Sequence, residues 1–156
     1  MRTSVVGAGT LQKRKDAVAA GSTAKPDAVQ AADDADHYFR PLQIACETRS
    51  ARMKAVALDA IEKLVAWGNL TGNLTVVQSG RMRYLIDIVI ETVCSCRDDA
   101  ADQVQLQVVK CLLTAVSSAT CQVREYSLLL AVRSVYHIYL VTRNQVNRTT
   151  AKASLT

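Results

Sequence analysis

The sequence predicts an all-α fold with about six helices visible, on three observations. Apolar residues recur at i, i+3 and i+4 through successive segments, the spacing of one helical face. The apolar content is dominated by Leu, Val, Ile and Ala, with two prolines and 4% aromatic residues in the chain, which is the palette of packed helices. Capping and stop residues fall at the segment ends. With 156 residues, 49% hydrophobic and 21% charged, the chain holds enough apolar material for one core.

Residues 1–36 precede that pattern. They are rich in Ala, Gly, Ser, Thr and Asp, hold Pro26 and the acidic run Asp33, Asp34 and Asp36, and read as a disordered or weakly structured linker. The helical domain is expected over residues 37–156. Pro41 suits the first turn of a short helix reaching about Glu47. Ser50 can cap a second helix, whose apolar positions Val56, Ala57, Ala60, Ile61, Leu64 and Val65 run until Gly68 supplies a left-handed stop. Residues 69–79 are expected to form a loop. A third helix, from Arg81 to about Cys96 with Ser79 as its cap, turns Leu85, Ile86, Val89, Val93 and Cys96 inward. A fourth, from about Asp102 to Ser117, does the same with Leu106, Val109, Leu112, Leu113 and Val116. A fifth, from about Val123 to Arg143, carries Leu128, Leu129, Val132, Val135, Tyr136, Ile138 and Tyr139. A sixth begins near Asn147 and is still running at Thr156, so the domain is expected to be truncated at its C-terminal end.

Leu58 and Leu106, and likewise Ile86 and Leu129, hold equivalent registers in alternate helices. A two-helix unit of about 40 to 47 residues is the period of armadillo and HEAT repeats. The expected architecture is therefore an armadillo- or HEAT-like right-handed helical solenoid, with a compact bundle as the alternative.

Chemistry is sparse. The formal charge is +5, but Lys and Arg are scattered apart from Lys13, Arg14, Lys15 and the pair Arg81 and Arg83, a pattern of solvated surface rather than of nucleic-acid binding. Cys46, Cys94, Cys96, Cys111 and Cys121 form an odd set on apolar faces, and residues 4–10 are too short and glycine-broken for a signal h-region. Reduced cysteines in a cytoplasmic protein follow. The longest apolar stretch, residues 128–141, is broken by Arg133 and His137 and falls short of the roughly 20 residues that span a bilayer. His37 and His137 lack i, i+4 ligand partners, and a helix turns about 200° between Cys94 and Cys96, so no metal site is expected. Gly7 and Gly9 begin like a dinucleotide loop, but Gln12 stands where the third glycine belongs. No acid or oxyanion hole accompanies a cysteine with His137, so no catalytic site or cofactor is expected. The sequons at Asn69, Asn73 and Asn147 read as turn and cap chemistry.

The strings YFRPLQIACETRS from Tyr38, LDAIEKLVAWGNLTGN from Leu58, LIDIVIETVCSC from Leu85, VQLQVVKCLLTAV from Val104 and NRTTAKASLT from Asn147 resemble the N-terminal DCB domain, for dimerisation and cyclophilin binding, of the large brefeldin-sensitive BIG-type Arf guanine-nucleotide exchange factors. The resemblance runs from about Asp36 to Thr156. Residues 1–35 match the further helix of such domains poorly, and nothing resembles the catalytic exchange domain, so no exchange activity is expected. The resemblance implies an armadillo-like fold and recruitment from the cytoplasm to trans-Golgi membrane, with membrane contact indirect. The implied partners are a GTP-bound Arf-like small GTPase, and a second copy or a downstream regulatory domain.

A candidate surface follows from the solenoid. Helices one repeat apart lie side by side, which places Lys63 near Lys110, with Trp67 and Thr114 one turn on along the same faces. Two lysines flanking an aromatic suit an apolar switch surface ringed by acidic residues. The alternative has Trp67 packed beneath the following loop and both lysines solvated.

Overall fold

The computed structural model describes residues 38–156. The linker expected over residues 1–36, its basic run and His37 lie outside the described residues. Within them the chain forms α1 (Phe39–Glu47), α2 (Ala51–Ala66), β1 (Thr75–Gln78), β2 (Arg81–Tyr84), α3 (Leu85–Ser95), α4 (Asp102–Ser117), α5 (Glu125–Val141) and α6 (Gln145–Ser154). The expected all-α fold is present, with one small antiparallel hairpin added.

Local signals place several boundaries. The Ser50 hydroxyl accepts the Met53 N–H at 3.4 Å and caps α2. Gly68, at φ +71°, stops it, and the Asn69 and Leu70 N–H groups then donate to the Leu64 carbonyl. The Asn144 side chain accepts from Val146 at 2.9 Å, so α6 starts two residues before the expected Asn147. Asn147 is itself buried and donates to the Asp102 carbonyl at 2.8 Å, which explains why it is neither a cap nor an open sequon.

The region between α2 and α3 differs from expectation. Residues 75–84 fold into a hairpin rather than a loop and a helix start, with Gln78 opposite Arg81 and Thr75 opposite Tyr84. Ser79 and Gly80 both take positive φ, 52° and 76°, the geometry of a tight two-residue hairpin turn. Ser79 is therefore a turn residue and not a cap, and α3 begins at Leu85. Arg81, Met82 and Arg83 are adequate helix formers, so local preference did not disclose the strand.

The helices stack in two rows. In one row α2 packs along α4 and α4 along α6; in the other α1 packs on α3 and α3 on α5, while α1–α2, α3–α4 and α5–α6 pair across the rows. α3 lies innermost, and all five of its expected inward residues, Leu85, Ile86, Val89, Val93 and Cys96, are buried. They share one core cluster with Leu58, Ile61 and Val65 of α2 and Val104, Val108 and Leu112 of α4. In α2, Ala57, Ile61 and Val65 are buried, Ala60 and Leu64 half-buried, and Val56 is exposed.

α4 and α5 correct the expected inward faces. In α4, Val109 and Leu112 are buried, but Leu113 and Val116 are exposed and Val104, Val108, Cys111 and Ala115 take the core side. In α5, Val135 and Ile138 are buried and Tyr139 half-buried, whereas Leu128, Leu129, Val132 and Tyr136 are exposed. The buried face is instead Ser127, Ala131, Ser134, Val135 and Ile138. Small side chains at three- and four-residue spacing let α5 approach α3 closely. The Ser127 hydroxyl donates to the Asp87 carboxylate, and Ser134 accepts from Arg97 at 3.4 Å.

All five cysteines are buried. Cys94 directs its Sγ at the Leu130 carbonyl on α5 and Cys96 at the Cys46 carbonyl on α1, the divergence that the helical turn requires. No helix among the described residues is long and apolar enough to cross a membrane.

Candidate functional site

The surface formed by α2 and α4 carries the four residues singled out from the sequence. Its register is set by polar contacts between the helices and their following loops. Gln107 Nε2 donates to Asp59 Oδ1 at 3.2 Å, and Asn73 Nδ2 donates to the Thr120 carbonyl at 3.3 Å, pairings separated by 48 and 47 residues. Lys63 and Lys110 are separated by the same 47 residues.

Trp67 is the most conspicuous of the four. Ile61 and Val65 lie on the buried side of α2, and a residue two positions further is carried about 200° round the helix. Trp67 accordingly stands 71% exposed at the end of α2 and is not packed beneath the loop. With half-buried Thr114 it lines a cleft of about 440 Å³, closed by Gly68 and by the turn at Ser117, Ser118 and Thr120. Thr120 also approaches the position a Gly68 side chain would occupy, at 3.7 Å.

The lysines lie one turn back along each helix. Lys63 is exposed and holds Asp59 through a 2.6 Å ion pair four residues away. That contact keeps the Asp59 carboxyl below the usual carboxylate range, helped by Gln107 and Lys110, and raises the Lys63 ammonium above its ordinary value. Lys110 is exposed. The structure thus joins Trp67 and Thr114 in one cleft and sets the lysines around Asp59. Asp59 and Gln107 were not picked out from the sequence, although the i, i+4 spacing of Asp59 and Lys63 signals their pairing. The cleft is lined by an aromatic ring, hydroxyls and small side chains, and the two lysines stand outside that lining.

Elsewhere His137 Nδ1 lies 3.5 Å from Asp98, and no group of three potential metal-ligating side chains converges among the described residues.

Comparison with known proteins gives this surface a context. The human brefeldin A-inhibited guanine nucleotide-exchange protein 1 is 45% identical over 125 residues, covering 79% of this chain. The Arabidopsis thaliana brefeldin A-inhibited guanine nucleotide-exchange protein 2 is 40% identical over 122 residues and 78% of the chain. An ADP-ribosylation factor guanine nucleotide-exchange factor of Schizosaccharomyces pombe, sec71, is 33% identical over 119 residues and 75% of the chain. The aligned region spans only 7% of the human and Arabidopsis proteins and 6% of the yeast one. The family described as the Mon2/Sec7/BIG1-like dimerisation and cyclophilin-binding domain, DCB, matches residues 11–156, reaching upstream of Asp36. Stacked helices, a family match over residues 11–156, and similarity confined to one small part of large Arf guanine-nucleotide exchange factors lead to one assignment: this chain belongs to the Mon2/Sec7/BIG1-like dimerisation and cyclophilin-binding (DCB) domain family.

Proposed function

We propose that this domain captures a GTP-loaded Arf-like small GTPase on the α2–α4 surface and thereby recruits its parent exchange factor from the cytoplasm to trans-Golgi membrane. The observation that carries this reading is Trp67, 71% exposed on the rim of a cleft, with Lys63 and Lys110 one turn away. A large ring held at the centre of a contact supplies buried apolar area, while flanking amines orient an acidic partner. Asp59 between the lysines holds the Lys63 amine in place until a partner carboxylate competes for it. The domain acts by binding alone and contributes no catalytic group to nucleotide exchange.

A pull-down with an Arf-like GTPase loaded with a non-hydrolysable GTP analogue or with GDP tests the reading. Selective capture of the GTP form is expected, and equal or absent capture contradicts it. Reversing both charges, Lys63→Glu with Lys110→Glu, is expected to weaken capture at unchanged helical content.

A second reading, self-association or docking to another regulatory domain of the parent, draws on a different observation. Leu129, Val132, Tyr136 and Leu140 form an exposed apolar stripe on α5. Sedimentation over a concentration series separates the two: a monomer that still binds the GTPase disfavours self-association.

A further inference from the structure

We propose that the free edge of β1 is a docking site for an extended acidic segment of a partner protein, which adds to the hairpin as a third strand and seats an apolar side chain between β1 and α1. This site is separate from the α2–α4 surface and does not depend on GTPase binding.

The backbone register fixes which groups are free. The Leu85 N–H donates to the Leu74 carbonyl at 2.8 Å, and antiparallel partners alternate between bonded and non-bonded pairs. Leu74, Val76 and Gln78 therefore direct their backbone groups at β2, and Thr75 and Val77 direct theirs outward. Among the described residues no backbone hydrogen bond reaches those outward groups. Exposed edges are usually blunted by charge, proline or a bulge, yet β1 reads Thr, Val, Val, Gln. The basic residues Arg81 and Arg83 stand on β2 instead.

The hairpin is held in place from the β2 side. The Arg83 guanidinium grips both oxygens of Glu91 on α3, and the Arg124 guanidinium lies 3.3 Å from the centre of the Tyr84 ring. The free edge is accordingly preorganised, which lowers the entropic cost of adding a strand.

Beside β1 lies a cleft of about 260 Å³. Phe39, Val76, Val77, Leu85 and Ile88 supply its apolar lining, and Arg40, Gln43 and Gln78 its polar lining. Main-chain bonds give affinity in strand addition and such a pocket gives selectivity. Charge selects the sign of the partner: Arg40 and Arg81 are exposed, Arg40 bonds only to Gln43, and neither has a carboxylate partner among the described residues.

The test is amide hydrogen exchange on the full chain with a synthetic hexapeptide of alternating glutamate and valine. Added protection at the Thr75 and Val77 amides is expected, with the helical amides unchanged. Val77→Pro removes an outward donor and spares the ladder to β2, so it is expected to weaken binding about tenfold or more, while Val77→Thr stays close to wild type. Arg40→Glu, which leaves the strand untouched, is expected to reverse the preference towards a lysine–valine peptide. Absence of protection at Thr75 and Val77, or binding indifferent to both Val77→Pro and Arg40→Glu, overturns the proposal. So does capture by phosphatidylserine vesicles through Val77 and Met82 with no peptide binding.

Discussion

Gly72 shows how one residue constrains this fold. It adopts φ +67°, its carbonyl accepts the Ile86 N–H at 2.9 Å, and a side chain there would lie 2.6 Å from Ile86 Cβ. Gly72→Ala combines a left-handed backbone with a clash against the innermost helix, and about 3 kcal/mol of destabilisation is expected by denaturant titration. Gly80→Ala takes a similar φ in open space and should cost only about 1 kcal/mol, isolating the backbone part, so that the difference from Gly72→Ala reports the clash. Asp99 is a second such residue. It bridges to Lys54 at 2.8 Å, both side chains being largely buried, and it accepts the Ala101 N–H. Lys54 first, then that N–H, hold its carboxyl below the usual range. Because the folded-state value is the lower one, this stabilisation is complete above the unfolded carboxylate value of about 4 and fades as pH falls through the folded value. Asp99→Asn is therefore expected to cost about 2 kcal/mol at pH 7 and progressively less as pH falls below about 4 and through the lower folded-state value, read as the pH dependence of the unfolding midpoint.

Among the elements, α5 separates what is apolar from what is buried. Its large residues Leu129 and Tyr136 face outward, and its buried face carries the small side chains Ser127, Ala131 and Ser134. Leu129→Ala should change stability by less than about 0.5 kcal/mol, while Ala131→Leu should cost about 1 to 3 kcal/mol by overpacking, a contrast that thermal unfolding resolves. This helix also shows why part of the fold was not legible in the sequence. α3 is buried nearly all round, so each of its expected inward residues lies in the core. α5 is apolar nearly all round, so periodicity alone does not choose a face, and hydrophobicity points away from the small residues on its buried face. The hairpin escaped for a different reason. Its signal is the dipeptide Ser79–Gly80 between short segments, one of them composed of adequate helix formers. Ser50 and Gly68, by contrast, mark their helix ends by chemistry that acts within a few residues, and both were readable.

At the scale of the whole molecule, two rows of helices place side chains from residues almost fifty positions apart on one surface. The sequence period anticipated that juxtaposition, and the bonds from Asp59 to Gln107 and from Asn73 to Thr120 give it a fixed register. What the period did not disclose is the cleft beneath Trp67, because it depends on the turn at Ser117 to Thr120 closing the ends of α2 and α4. On the proposed reading, this surface recognises a GTPase and so directs the parent exchange factor. The most direct measurement is calorimetric titration of an Arf-like GTPase, loaded with a GTP analogue or with GDP, into the wild-type domain and into Trp67→Ala. The account predicts binding to the GTP form alone and a loss of at least about 2 kcal/mol on removing the ring, with unfolding unchanged. Equal affinity for both nucleotide states, or wild-type affinity in Trp67→Ala, would contradict it.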